Sequence, residues 1–405
     1  MGPKIKAVLT NRWVSLGFWS LLYILWVVWL ENYWWLFGLV VIFDLHITRK
    51  VKWAFWKKTY KEGEKHNVWL DWLDAIVFAV IVVTFLNIFF FQAFVIPSPS
   101  MSDTLLEGDH VFVSKLSYGP RIPQTPLTVP FTHNTLFGGE SYSTLIQNGY
   151  RRMAGFGKVE RGDIVVFNFP LGDTILTRMP HIGVNRFGEA VLLEPGMPHY
   201  AESQPLFNDY YEACRAEGRE KVLSLWGPVK VRPADKTDHY VKRCVALPGD
   251  TLEVREGLVY IDGVKQKRDE GIRISSDIYR VPNEDSANLF PYYSADSSWT
   301  RDFYGPLWIP AKGESVVLTE GNLPVYQRLI ETYEGGKAEI GQLYTFKQDY
   351  YFMMGDNRHH SLDSRYWGFV PEDHIVGKPF MIWLSLDPRK PFPSNIRWNR
   401  FFKFL

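Results

Sequence analysis

The first hundred residues of the chain are dominated by long apolar runs. Residues 13–30 and 75–95 contain no charged side chain and have the length, roughly 20 residues, that a bilayer-spanning helix requires. A third run, residues 33–43, reaches this length only when flanking residues as far as Ile47 are included. Buried helices of a soluble protein are the alternative, but they rarely need so many consecutive apolar residues. The pattern therefore predicts two membrane-spanning helices and one further candidate span.

Basic residues between these runs predict the orientation of the chain. Lysine and arginine are concentrated at the N-terminus and between residues 49 and 65, as in cytoplasmic loops. If residues 33–47 only lie in the membrane interface, the N-terminus must instead be outside. The predicted segments are an N-terminal helical hairpin at 1–48, a basic cytoplasmic loop at 49–70, a transmembrane helix at 71–95 and an extracytoplasmic domain at 96–405.

Beyond residue 110 the pattern changes to short runs of β-branched and aromatic residues separated by Gly, Pro, Asn and Asp, which is typical of β-strands. The intervals between them are too long for hairpin loops and predict an inserted second lobe or large surface excursions. The candidate strands are residues 110–115, 163–168, 239–247, 251–261, 314–319 and 350–354. The predicted insertions lie near 121–158, 171–237 and 265–313, with a helix within 208–226. The expected fold is a mainly β, antiparallel domain preceded by N-terminal transmembrane helices.

The amino-acid composition argues against several classes of function. The 405 residues include 45 basic and 44 acidic side chains, so no global charge indicates a nucleic-acid partner. The two cysteines, Cys214 and Cys244, could form one bridge but do not make a disulfide framework. No Cys/His cluster has the spacing of a zinc site, so no structural metal is indicated.

The junction between the apolar part and the β-rich part is the first candidate for chemistry. In the sequence IPSPSMSDTLLE, at 96–107, Pro97 and Pro99 restrict the backbone and push their predecessors toward extended conformations. Ser98 and Ser100 are therefore expected on a stiff, non-helical segment, which suits a nucleophile. The alternative is a plain linker between a membrane anchor and the next domain.

A lysine inside a predicted strand is the second candidate. In HYVKRCVALPGDTLEV, at 239–254, Lys242 shares one strand face with Cys244, but both faces carry apolar residues. Alternation therefore leaves open whether Lys242 is buried or is a solvated strand lysine. If it is buried, desolvation would lower its pKa from about 10.4 by several units and allow a neutral amine that acts as a general base. A serine hydroxyl needs such a base before it can attack, and serine/lysine pairs are an established solution.

The third candidate is a dense polar segment after a predicted strand, MGDNRHHSLDSRYWGF. Asp363 and Arg365 can form a charge-assisted pair, and the Ser361 hydroxyl can bond an amine. An elaborate β-turn is the structural alternative. His359 and His360 lie in the same segment, so a Ser/His/Asp triad is the runner-up chemistry.

These three stretches together resemble the type I signal peptidases, the membrane-bound leader peptidases of bacteria. The resemblance covers IPSPSMSDTLLEGDHVFVSKLSYG at 96–119, ERGDIVVFNFP at 160–170, HYVKRCVALPGDTLEV at 239–254 and MGDNRHHSLDSRYWGFVPEDHIVGKPFMIWLS at 354–385. The motifs occur in the order of that family, whereas the long intervening insertions are not part of the resemblance. The resemblance favours the chemical interpretation of each stretch over the linker, solvated-lysine and simple-turn alternatives.

The resemblance implies a role for each matching residue. Ser100 would be the nucleophile and Lys242 its general base. Ser98 would donate to the oxyanion together with the backbone N–H of Ser100. The implied supporting residues are Ser361, Asp363 and Arg365, and the implied pocket residues are Ile96, Leu105 and Val241. Two departures stand out: the family usually has proline where this chain has Asp103, and Asp-Asn where it has His359-His360.

The resemblance also implies what the chain does and where. It would remove signal peptides from exported pre-proteins after small residues of the Ala-X-Ala type, through an acyl-enzyme and without a metal or organic cofactor. It would be a multi-pass protein of the cytoplasmic membrane with its catalytic domain on the extracytoplasmic side. Its partners would be pre-protein signal peptides, the lipid bilayer and, as a candidate, the export machinery. The alternative is an inactive relative that acts as a membrane-bound binding or assembly factor.

Overall fold

The structure, a computed structural model, describes residues 11–53, 67–132, 134–137, 139–171, 174–176, 181–184, 190–193, 229–267, 271–281, 289–291 and 298–405. It divides into two compact units, Met1–Asn87 and Ile88–Leu405. The predicted helix within 208–226, Cys214 and much of the predicted basic loop lie outside the described residues. The finer domain boundaries given by the sequence patterns stay predictions.

The first unit is helical. Its elements are α1 (Arg12–Leu30), a 3₁₀ turn (Tyr33–Phe37), α2 (Gly38–Phe43), a π-helical turn (Asp44–Thr48) and α3 (Val68–Phe89). α1 begins where the Asn11 side chain accepts a hydrogen bond from the N–H of Trp13 at 2.9 Å. α1 and α3 are long and apolar enough to cross a membrane, whereas the apolar stretch Tyr33–Thr48 is shorter. None of the residues of α3 is buried, unlike those of a helix in a soluble core.

The predicted span at 75–95 is wrong at its C-terminal end. α3 ends at Phe89, and residues Phe91–Val95 form a strand, β1. This strand pairs antiparallel with the next one, with Phe91 opposite Ser114 and Val95 opposite His110. A continuous apolar run does not reveal where a helix becomes a strand, because both periods fit it.

The second unit is built mainly from antiparallel strands. After β1 they are β2 (Asp109–Ser114), β3 (Thr135–Leu136), β4 (Gly139–Glu140), β5 (Ile164–Asn168), β6 (Thr174–Leu176), β7 (His181–Val184), β8 (Ala190–Leu193), β9 (Val229–Val231), β10 (His239–Ala246), β11 (Thr251–Arg255), β12 (Leu258–Ile261), β13 (Val264–Lys265), β14 (Phe303–Trp308), β15 (Ser315–Val317), β16 (Leu343–Thr345), β17 (Tyr350–Met354), β18 (Val370–Pro371), β19 (Ile375–Ser385) and β20 (Lys403–Phe404). Two short helices, α4 (Leu323–Arg328) and α5 (Ser364–Trp367), complete the unit as described.

The largest sheet in the described residues has the strand order β1-β2-β19-β5-β10-β17-β18, with β20 paired to β19. A smaller sheet has the order β13-β12-β11-β14. The mainly β, antiparallel fold expected from the sequence is therefore confirmed. One predicted strand, 251–261, is wrong as a single element. It is interrupted by a turn at Glu256 and Gly257, which both adopt positive φ, and forms β11 and β12.

β10 lies between two hydrophobic clusters, which explains why alternation along it was uninformative. One cluster contains Val165, Phe167, Cys244 and Met353, and the other contains Ile96, Met101, Leu105 and Val166. A strand that packs on both faces carries apolar residues on both, so its sequence does not alternate between apolar and polar positions. Cys244 is a free, buried thiol within the first of these clusters.

Candidate active site

Ser100 lies in a 3₁₀ turn, Pro99–Met101, a few residues beyond β1. Ser98 has extended backbone, with φ −135° and ψ 157°, as the two prolines predict. The prediction of a non-helical segment is wrong for Ser100 itself, because Pro99 occupies the first position of the turn, where its fixed φ is favourable. The N–H of Ser102 closes the turn on the carbonyl of Pro99 at 3.0 Å. The N–H of Asn357 donates to the Ser100 carbonyl at 3.0 Å and ties the turn to the polar segment.

Lys242 reaches this turn from the middle of β10, where it stands opposite Val165 of β5. Its Nζ donates to Ser100 Oγ at 2.8 Å and to the carbonyl of Val241 at 3.2 Å. Lys242 is only 4% exposed and Ser100 7% exposed, so the solvated-lysine alternative is wrong. Burial of this kind disfavours the charged form of an amine.

Ser98 is the other neighbour of the Ser100 hydroxyl, with 3.2 Å between the two Oγ atoms. Its side chain is half-buried and lines the same cleft. The N–H groups in the first turn of a helix have no carbonyl partner within that helix, and Ser100 lies in the first turn here. Ser98 and Ser100 both line the cleft.

Asp363 and Arg365 form a fully buried ion pair. Both are 0% exposed, and two hydrogen bonds of 2.9 Å join the guanidinium to the carboxylate. Burial alone would raise the pKa of Asp363, but the Arg365 charge and the N–H of Gly355 outweigh it and lower that pKa. Arg365 also donates to the carbonyl of Arg358 at 2.6 Å. The polar segment is therefore held in place by a buried ion pair and is more than a simple β-turn.

Ser361 is buried and lines the cleft, but its hydroxyl has no hydrogen-bond partner among the described residues. It does not bond Lys242, so its implied role in orienting the lysine stays a prediction. Gly355 makes this close packing feasible. A Cβ atom there would lie 2.1 Å from Ser361 Oγ and 2.7 Å from the Ser100 carbonyl oxygen.

The histidines do not assemble a Ser/His/Asp triad in the part of the chain that the structure describes. His359 lines the cleft, but its Nε2 lies 2.9 Å from Asp302 Oδ1 and its Nδ1 accepts from the N–H of Ser275. Burial lowers the pKa of His359, and Asp302 only partly opposes this effect. The hydrogen bonds of Ser100 Oγ go to Lys242 and Ser98.

The cleft has a volume of about 450 Å³. Ile96 and Val241, two of the implied pocket residues, line it. Leu105 does not: it is 0% exposed and packs in the core cluster with Ile96, so its pocket role stays a prediction. Among the described residues, no three His, Cys, Asp or Glu side chains are grouped as a metal site would need.

The sequence patterns missed one buried pair near the site. Arg243, next to Lys242 and on the opposite strand face, donates to both oxygens of Asp356 at 2.7 Å. Asp356 Oδ2 also accepts from the hydroxyl of Thr104 at 2.6 Å. The sequence did contain a signal for this pair: a basic residue lies next to Lys242, and an acidic residue lies in the polar segment. The pair joins β10, the polar segment and the turn of Ser100.

A buried serine and a buried lysine are in hydrogen-bond contact at the cleft of this antiparallel β unit. The family model for signal peptidase, peptidase S26, matches residues 69–384, well over half of the chain. This protein therefore belongs to the signal peptidase S26 family.

Individual relatives agree with this membership. Signal peptidase I of Haemophilus influenzae is 28% identical over 85% of this chain and 80% of the relative. Signal peptidase I of Helicobacter pylori strain 26695 is 26% identical over 82% and 90%, and that of Pseudomonas aeruginosa is 25% identical over 76% and 70%. A solved signal peptidase I from Enterococcus faecalis is 22% identical over a match that covers 36% of this chain and 86% of that one, with a TM-score of 0.17.

Proposed function

We propose that this protein is a membrane-bound endopeptidase that removes N-terminal signal peptides from exported pre-proteins. The observation that carries this proposal is the 2.8 Å contact between Lys242 Nζ and Ser100 Oγ, with both groups buried at the cleft. Membership of the signal peptidase family supports the substrate class. The intact Ser–Lys contact argues against an inactive binding or assembly factor.

In the proposed mechanism, neutral Lys242 takes the proton of Ser100 as Oγ attacks the scissile carbonyl. The bond to the leaving amine then breaks as Lys242 returns the proton to its nitrogen. The signal peptide remains as an ester on Ser100 Oγ. A water molecule, deprotonated by the same lysine, attacks the ester, and the carboxyl product leaves as Ser100 regains its proton.

The oxyanion formed in each step would accept hydrogen bonds from the Ser98 hydroxyl and the Ser100 N–H. Donors placed where charge develops are usually the largest single contribution to such catalysis. In the resting site the Ser98 hydroxyl oxygen is 3.2 Å from Ser100 Oγ, and rotation about its Cβ–Oγ bond would turn the proton toward a substrate oxygen. The buried Asp363–Arg365 pair would fix the polar segment that holds the Ser100 carbonyl.

The substrate would bind as an extended strand along the cleft, with main-chain hydrogen bonds giving affinity. Ile96 and Val241 would limit its side chains near the cut to small ones, which fits an Ala-X-Ala site. The membrane assignment uses α1 and α3 as spans, with the catalytic unit on the extracytoplasmic side of the cytoplasmic membrane. The lipid bilayer would then surround its helices, and the export machinery would be a candidate partner.

The test is cleavage of a pre-protein with an Ala-X-Ala site by the purified, detergent-solubilised protein, with mass spectrometry of the products. Wild type is expected to cut after the second alanine, and Ser100→Ala is expected to be inactive. Ser276→Ala, which removes an exposed hydroxyl from the same unit, is the matched control and should retain wild-type activity. Retained cleavage by Ser100→Ala would refute the mechanism, and absence of cleavage by wild type would favour the binding-factor alternative.

A further inference from the structure

Asp103, three residues after the proposed nucleophile, has a backbone conformation that proline could not adopt. Its φ is +80°, in the left-handed region, whereas proline is restricted to about −65°. Aspartate is among the residues that tolerate this region best.

Asp103 is held by a residue that comes from the third predicted insertion. Arg273 binds the carboxylate with two nitrogens: Nη2 donates to Oδ1 at 2.6 Å, and Nε donates to Oδ2. The Arg273 side chain is 60% exposed and that of Asp103 38% exposed. A bidentate guanidinium–carboxylate contact fixes orientation as well as distance.

The backbone around Arg273 is bonded to the polar segment that supports Ser100. The Arg273 N–H donates to the carbonyl of Asp356 at 2.8 Å, and the N–H of Arg358 donates to the Arg273 carbonyl at 3.1 Å. Between them, Asn357 donates its N–H to the carbonyl of Ser100. The contacts form a closed ring that runs from Ser100 through Asp103, Arg273 and Asn357 back to Ser100.

A second contact brings the insertion against the same turn. Gly271 has φ +88°, and a Cβ atom there would lie 2.6 Å from the hydroxyl oxygen of Thr104. Only glycine allows this approach without displacing the turn. Thr104 in turn donates to Asp356. The insertion thus contacts the nucleophile turn through both backbone packing and an ion pair.

We propose that Asp103 and Arg273 are a positioning pair that ties the insertion to the turn of Ser100 and fixes the Ser100 backbone for catalysis. This inference rests on the proposed role of Ser100. Neither residue is among those that line the cleft, so the pair acts through the turn and not by contact with substrate. The pair should therefore affect the rate of the chemical step and leave substrate binding unchanged.

The test is a double-mutant cycle on the purified full-length protein, with kcat and KM measured separately on the Ala-X-Ala pre-protein. Asp103→Asn keeps a residue that tolerates positive φ, and Arg273→Gln keeps a polar side chain, so each variant removes the ion pair and leaves a polar residue in its place. Each single variant is expected to lower kcat roughly twofold to fivefold, the range of a well-formed exposed ion pair, with KM unchanged. The double variant is expected to be no worse than either single variant.

The dependence of kcat on salt concentration is a second measurement, and a purely structural role of the two residues would not change it. Screening weakens exposed ion pairs, so added salt should lower kcat of wild type and have less effect on the three variants. Arg280→Gln is the matched control. It removes an exposed ion pair with Glu256 outside the ring and should retain the wild-type kcat and salt response.

The outcomes separate this inference from the proposed function. Activity in Ser100→Ala would refute the proposed function. If Ser100→Ala is inactive but Asp103→Asn and Arg273→Gln have wild-type kcat, only the positioning pair is refuted. Additive losses in the double variant, or losses confined to KM, would also refute it. Thermal unfolding of each variant shows whether a lower kcat reflects a smaller folded fraction, and a loss that disappears after this correction counts against the pair.

Discussion

Two of the buried polar pairs near the cleft, Ser100–Lys242 and Asp363–Arg365, use their hydrogen-bonding groups differently. Ser100 and Lys242 share one bond of 2.8 Å, and both line the cleft. Asp363 and Arg365 share two side-chain bonds of 2.9 Å, and neither lines the cleft. The second pair also bonds backbone groups of Gly355 and Arg358.

These contacts suit Ser100 and Lys242 to proton transfer, and they suit Asp363 and Arg365 to stabilising the fold. A proton can move between Ser100 and Lys242 because one contact joins them and a substrate can reach it. Asp363 and Arg365 must remain charged, since each satisfies the other in a site without water access, and loss of either leaves a buried charge. Substitutions in the first pair should therefore abolish activity and leave folding intact, and substitutions in the second should destabilise the fold.

The largest effect is expected from Lys242→Arg and Lys242→Met. Arginine stays protonated and cannot act as a general base, and methionine has similar volume but no amine. Both variants should lose activity by about 10⁴-fold, the upper range for a general base. Cleavage assays of the detergent-solubilised variants would measure this, with thermal unfolding as the control. Substantial activity in the arginine variant would exclude a neutral lysine base.

A loss of stability is expected from Arg365→Ala. Removal of the guanidinium leaves the Asp363 carboxylate buried without its counter-charge, which typically destabilises a protein by about 3–5 kcal/mol. Arg389→Ala is the matched control, because Arg389 pairs with Asp387 at the same i, i+2 spacing but is 73% exposed. Denaturant unfolding should reveal a large loss for the first variant and little change for the second. Equal effects would contradict the distinction between the two pairs.

Ser98→Ala should reduce activity without unfolding the protein. Removal of one oxyanion donor typically lowers kcat by about 10²–10³-fold, and KM should change little. Ser98→Thr keeps the hydroxyl, and its branched side chain is compatible with the extended backbone at this position, so it should recover most of the activity. Steady-state kinetics of the three proteins tests this. If the alanine and threonine variants lose activity equally, the hydroxyl is not the donor.

The sequence predicted the parts of the site that lie within short continuous motifs. Local turn chemistry and residue type singled out Ser100, Lys242, Asp363 and Arg365 as candidates. Only the resemblance to the type I signal peptidases favoured them over a linker, a solvated lysine and a simple turn. Burial of Lys242 was not predictable, since it depends on β10 packing between two clusters. Only the sheet register, with Lys242 opposite Val165, determines which side chains surround it.

The contributions of the insertions could not be predicted. Arg273 and Asp302 reach the polar segment from a stretch of chain with no recognisable motif, and no local pattern indicates which charged residue of an insertion returns to the site. The boundary between α3 and β1 was missed for a different reason. Phe89 and Phe91 belong to one apolar run, and the change from helix to strand depends on pairing with β2.

The smallest effect concerns His359, which lies in the same polar segment and lines the cleft. Because burial lowers its pKa, the unfolded chain binds a proton below about pH 6.5 that the folded chain does not, and stability falls as pH decreases toward the folded pKa. Asp302, Arg301 and Arg365 are the charged groups that act on this imidazole. His359→Gln should therefore flatten the pH dependence of unfolding below about pH 6.5, the ordinary histidine value, by at most about 1.4 kcal/mol per pH unit.

The pH window distinguishes His359 from the carboxyl groups. The lowered pKa of Asp363 also makes stability fall toward acid pH, but that loss begins only near or below the ordinary carboxyl value of about 3.9. His360→Gln is the control, because His360 is exposed and should leave the slope unchanged. A wild-type slope in His359→Gln would mean that the imidazole is not the group that titrates. A flatter dependence of stability on pH would show that His359 behaves differently from both pairs. Its side chain would be uncharged in the folded protein and would destabilise the fold only when low pH protonates it.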